Sequence, residues 1–103
     1  MSSRTPSAPP SRLFLRLYIA GDTPSARRAL DSRERLIAEI AGTLDIEVID
    51  ILERPEEAEA AAILATPTLS DDSVAPPRRL IGEISNIAMV LEYFGCGKQD
   101  INP

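Results

Sequence analysis

Apolar side chains at Leu13, Leu15, Leu17 and Ile19 alternate with Phe14, Arg16 and Tyr18. That period of two predicts a strand, and bulk on both faces predicts an inner one. Ala20-Gly21-Asp22 turns the chain; Thr23 suits an N-cap, and Pro24 suits the first helical position, which needs no N–H. A helix is expected from there to about residue 41, with Ala26, Ala29, Leu30, Leu36, Ile37 and Ile40 as its apolar stripe and Gly42 as its stop. Arg33 interrupts the stripe. Its long stem suits a position at the stripe's edge, with the charge reaching water; the alternative is a carboxylate or a partner surface.

Residues 46–52 (IEVIDIL) are rich in β-branched side chains and predict a second strand. Arg54-Pro55-Glu56-Glu57 opens a short helix, with Pro at its start and acids over the positive end of its dipole; residues 58–65 complete it. Thr66-Pro67-Thr68-Leu69 leads into a third strand, and residues 70–77 read as a turn region. Residues 78–84 predict a fourth strand, and Ser85 caps a last helix over 86–94 that Gly95 closes. Residues 1–12, almost all Ser, Pro and Arg, read as a disordered tail, and 96–103 as a second tail, leaving one domain at 13–95. The order βαβαββα, with a helix long enough for a right-handed parallel crossover, gives a mixed four-stranded α/β sheet. It is the element order of the thioredoxin fold, in which a cis-proline precedes the third strand. Pro67 stands at that place and is expected to be cis.

Composition narrows the chemistry. The chain has 103 residues, 44% hydrophobic and 26% charged, with 4% aromatics and no Trp, so one small domain must be built on an aliphatic core. No apolar run is long enough to span a membrane, and the N-terminal tail lacks a secretory apolar stretch, which points to a cytoplasmic protein. There is no His, which removes Ser-His-Asp and Cys-His catalysis and His-based metal sites. Where a thioredoxin carries Cys-x-x-Cys, this chain reads Ala20-Gly21-Asp22-Thr23-Pro24-Ser25, and the one thiol, Cys96, lies far away and reads as buried or incidental. The glycines match no phosphate-loop spacing. Neither a cofactor nor catalysis is expected. The net charge is −5, and residues 45–72 hold nine acids against one base, Arg54. That face argues against nucleic acid and is either a solvated surface or a docking face. Asp71-Asp72 reads as a solvated pair in a loop.

Four blocks of the chain resemble the KaiB family. Residues 15–24 (LRLYIAGDTP) resemble its LKLYVAGNTP, and 48–52 (VIDIL) its VIDVL. Residues 63–69 (ILATPTL) match it unchanged, and 76–85 (PPRRLIGEIS) resemble its PPVRRIIGDLS, one residue shorter. The resemblance implies a non-catalytic regulator that binds the hexameric RecA-like ATPase KaiC and modulates its phosphorylation cycle in a circadian or clock-like system. It implies two folds: a thioredoxin-like binding form and a resting, tetrameric form with a rearranged C-terminal half. It also implies KaiA or a clock histidine kinase as further partners, and self-association as dimer or tetramer. The alternative is a KaiB-like sensor or adaptor domain serving another signalling partner. Two departures stand out. Glu59-Ala60-Ala61-Ala62 replaces a run that often carries Lys, and the family's IGLDLL segment, a strand in the resting form, is absent after Ser85. Residues 87–94 have helical spacing instead, which favours the thioredoxin-like form. In such a sheet the second strand lies at an edge. The partner is therefore expected on Ile46, Val48 and Asp50 of that strand and on Glu56, Glu57 and Glu59 of the helix after it.

Overall fold

The computed structural model describes residues 13–40 and 42–95, so both proposed tails and Cys96 lie outside the described residues. The elements run β1 (Leu13–Ile19), α1 (Pro24–Glu39), β2 (Leu44–Asp50), α2 (Pro55–Ala60), β3 (Thr68–Asp71), β4 (Arg78–Ile81) and α3 (Ile87–Tyr93). The sheet order is β2-β1-β3-β4. β1 pairs parallel with β2, and β3 pairs antiparallel with both β1 and β4. This is the expected thioredoxin-like arrangement. The bonds Thr66–Pro67 and Ala75–Pro76 are both cis, the first as expected.

The core follows from the alternation in β1. Leu15, Leu17 and Ile19 bury on one face of the sheet with Leu44, Ile46 and Leu69, and α1 and α3 supply Ala26, Ala29, Leu36, Val90, Leu91 and Phe94 to the same cluster. On the other face the row Tyr18, Ile49 and Thr68 is also buried, although Phe14 at the start of the strand is exposed. β1 is an inner strand with bulk on both faces because it needs it on both.

The capping chemistry of α1 is as expected: Thr23 Oγ1 accepts from the Ala26 N–H at 3.1 Å and Pro24 opens the first turn. Its apolar stripe is also as expected, with one addition: Ala26, Ala29 and Leu36 are buried and Leu30, Ile37 and Ile40 pack against the core, while Ser32 occupies an inward place beside Arg33 that apolar counting passes over. α3 is capped by Asn86, whose side chain accepts from the Met89 N–H at 3.2 Å, rather than by Ser85. Its far end is tied to β4: Arg78 donates to the Tyr93 carbonyl at 2.6 Å and lies over its ring, and the Tyr93 hydroxyl donates to the Arg79 carbonyl at 3.1 Å. Residues 87–93 are therefore helical, not a strand. No described helix is long and apolar enough to cross a membrane.

Candidate partner-binding site

β2 is an edge strand. Leu13 donates to the Thr43 carbonyl and Ile51 to the Ile19 carbonyl, both at 2.8 Å, so the odd-numbered backbone groups of β2 face β1. The groups of Leu44, Ile46, Val48 and Asp50 consequently point outward, the usual template for an added strand. One of them is already taken. Arg33 Nε donates to the Ile46 carbonyl at 2.8 Å while its terminal nitrogen pairs with Glu34 at 2.8 Å. Arg33 thus sits beside the helix stripe, but its guanidinium meets the Glu34 carboxylate, the alternative reading, and covers part of the sheet edge from there.

The six residues expected to meet a partner are placed unequally. Ile46 turns its side chain into the core and Val48 is half-buried, so both can offer backbone rather than side chain. The Asp50 carboxylate is engaged internally: its Oδ1 accepts from the N–H groups of Gly21 and Leu52, both at 3.0 Å. That bond ties the β1–α1 turn to the end of β2. Gly21 adopts φ +73°, and a Cβ there would meet Leu52 Cδ1 at 3.0 Å, so the turn requires glycine. The Asp50 turn also explains why β2 spans 44–50 and not 46–52. Glu57 is half-buried and held by Arg54 at 3.1 Å, and Arg54 reaches Glu47 at 3.6 Å. Glu56 and Glu59 are exposed.

α2 ends at Ala60, five residues before the expected end. Ala62 N–H donates to the Glu59 carbonyl and Ile63 N–H to the Ala58 carbonyl, at 3.1 and 2.9 Å. These bonds close the helix with a reversing turn in which Ala62 takes φ 56°, a place glycine usually fills. The alanine run masks that turn in the sequence, because alanine favours continued helix. An Ala62→Gly substitution should relieve the left-handed strain and raise stability by about 0.5–1 kcal/mol net of the added chain entropy, read from the urea midpoint. Beyond the turn, Leu64 stands 96% exposed, and Leu52, two residues past β2, 69% exposed. A shallow groove of about 590 Å³ runs between α2 and Leu64. Neither leucine was among the expected contacts; the helical reading of 58–65 concealed Leu64, and the strand reading of 46–52 concealed Leu52.

A second polar cluster lies on the α2 face of the sheet. Of the Asp71–Asp72 pair only Asp72 lies in a turn and is exposed, as expected, and even its carboxylate is held by hydrogen bonds. β3 extends through Ser70 and Asp71, both buried, and Asp71 Oδ1 accepts from the backbone and hydroxyl of Ser73 at 3.0 and 2.6 Å. Asp72 accepts from the Tyr18 hydroxyl at 2.9 Å, from Ser70 at 2.6 Å and from Arg79 at 3.3 Å. Burial alone would raise the Asp72 carboxyl; the hydrogen bonds from Ser70, Tyr18 and Arg79 outweigh it and hold it below the ordinary carboxylate value. Burial, then the bond to Asp72, pushes the Tyr18 phenol up. A carboxyl with a depressed folded pKa adds stability above its unfolded value, near 3.9, and loses it as pH falls through the folded value. Asp72→Asn should therefore be destabilised at neutral pH, with the gap from the parent closing below about pH 4. Urea midpoints at neutral pH and near pH 3 check this; a gap that stays constant would exclude the charged form as its source.

No group of three or more His, Cys, Asp or Glu side chains is arranged to hold a metal among the described residues. What the structure offers is a strand edge flanked by acidic and apolar side chains. The KaiB domain family model matches residues 16–94. The circadian clock oscillator protein KaiB of Prochlorococcus marinus strain NATL2A is 49% identical over 79 residues, covering 76% of this chain and 74% of the relative. That of strain MIT 9313 is 45% identical over 85 residues, covering 82% and 71%. In fold, the N-terminal domain of Synechococcus elongatus SasA superposes with a TM-score of 0.67 at 19% identity, over 99% of this chain and 100% of that one. Chloroplastic thioredoxin z follows at 0.66 and 18% identity, over 82% and 80%.

Proposed function

The chain belongs to the KaiB family of circadian clock oscillator proteins, which are non-catalytic, and we propose that it works by docking on a KaiC-type hexameric ATPase. In this reading the binding modulates that ATPase's phosphorylation cycle. The observation that carries it is the groove along α2. Exposed Leu64 lines it together with exposed Glu56 and Glu59. Apolar anchors supply affinity, and acids around them steer a basic surface. The remaining β2 edge is left for an extended segment of a second partner, KaiA or a clock histidine kinase, and Arg33 limits where that segment can pair. Self-association into dimers or tetramers would compete for the same edge.

The test is size exclusion of the full chain with the purified KaiC-type ATPase of the same host in the presence of ATP. Co-elution that is lost on Leu64→Asp supports the reading. Separate elution at micromolar concentrations overturns it, and co-elution only with a histidine kinase would make the chain an adaptor.

A further inference from the structure

On the side of the sheet away from α2, a cavity of about 190 Å³ opens between α1 and the segment after β4. Ser25, Arg28, Ala29 and Ser32 line it from the helix; Pro67, Glu83 and Ile84 line it from the sheet side. The Gly82 N–H donates to the Pro67 carbonyl at 2.8 Å and holds that wall together. We infer that this cavity is a site for a small free α-amino acid, bound as the zwitterion.

Three features converge on that chemistry. The first is Ser32, which is 3% exposed, lines the cavity and makes no hydrogen bond through its hydroxyl among the described residues. A buried hydroxyl without a partner is unfavourable, and a ligand atom that meets it recovers the loss. The second is Arg28. Every other described arginine pairs with a carboxylate or, for Arg78, with Tyr93; Arg28 pairs with nothing among the described residues. The third is Glu83, exposed on the opposite wall and equally without a partner. The two opposite charges share one cavity and do not pair with each other. A simple anion would be repelled by Glu83 and a simple cation by Arg28. A molecule carrying both a carboxylate and an ammonium satisfies both, with its side chain over Ala29 and Ile84 and a polar atom within reach of Ser32. The volume lies below the range of roughly 300–1,000 Å³ that suits drug-sized ligands, so only a small amino acid fits.

The experiment is a ¹⁵N-NMR titration of the full chain with glycine, L-alanine and L-serine in separate samples, with propionate and ethylamine as half-ligands. Saturable shifts at the Ser32 and Gly82 amides are expected with at least one amino acid. The half-ligands should bind about 10-fold more weakly or not at all, and Arg28→Ala and Glu83→Gln should each weaken binding about 10-fold. Both side chains are exposed, so these variants keep the fold. Ser32→Ala should weaken binding while leaving the thermal midpoint unchanged or higher, which separates a ligand contact from a packing role. The absence of any saturable shift overturns the site. Propionate binding as tightly as alanine, or Glu83→Gln without effect, overturns the zwitterion.

Discussion

A Leu17→Ala substitution should lower the thermal midpoint by more than about 10 °C. Leu17 has no exposed surface and sits at the centre of β1, opposite Val48 in β2 and Leu69 in β3. Truncating a fully buried leucine costs about 3–5 kcal/mol, the transfer term plus the cavity left behind. A domain of this size has only about 5–10 kcal/mol in total, and each kcal/mol moves the midpoint of a 60–100-residue domain by about 4–8 °C. The flanking strands and the α1–α3 layer meet at this one side chain, so neither can close the gap without leaving its register. Phe14→Ala is the matched control. It lies on the same strand but is 48% exposed, and should cost about 1 kcal/mol or less. Thermal melts followed by circular dichroism read both, and equal effects would mean that the α1 face is not the principal core.

The second large effect is on association. Replacing Glu56, Glu57 and Glu59 together by Lys should slow binding to the KaiC-type ATPase by about 10-fold or more at low salt. The substitution reverses the charge of the surface proposed to meet the partner first, and such steering acts on the on-rate before it acts on contacts. The salt dependence should flatten or change sign, since screening would now relieve repulsion. Some stability will be lost as well, because the acids sit at the start of α2 and Glu57 pairs with Arg54. That loss is small for exposed groups and is measured separately by melting. Leu64→Ala offers the uncharged counterpart: at 96% exposure it should leave stability unchanged while speeding dissociation. Stopped-flow or surface-capture kinetics at two salt concentrations check both. Unchanged kinetics in both variants would move the docking surface away from α2.

Much of the architecture was legible before any coordinates. The alternation of residues 13–19 predicts β1 to the residue, and Thr23-Pro24 predicts the start of α1, because both signals are local and repeat along a short stretch. The element order and the sheet class follow from connection length and handedness, and the edge position of β2 from the resemblance to the thioredoxin fold. The KaiB-like blocks, spread over residues 15–85, identify the family independently of periodicity.

Other features depended on what the chain meets after it folds. The end of α2 at Ala60 is set by two backbone bonds and the left-handed Ala62, where local propensity favours more helix. That reversal is also what exposes Leu64. Asp50 looked available, yet it is spent on Gly21, a residue 29 positions away. Asp71 and Asp72 looked solvated, yet Tyr18, 54 residues upstream of Asp72, shares a hydrogen bond with it. The inward place on α1 went to Ser32 while Arg33 reached out to the Ile46 carbonyl. For Asp50, Asp72, Ser32 and Arg33 a polar side chain found its partner, or failed to, between segments apart in sequence, whereas the α2 turn is a local backbone choice against propensity. The sequence alone determined β1, the starts of α1 and α2, the order of elements and the family, because backbone propensity and period-two or helical patterning are local properties. The tertiary structure decided which acids are free to face a partner and which hydroxyl is left unpaired in a cavity, because hydrogen-bond satisfaction is settled between segments that only folding brings together.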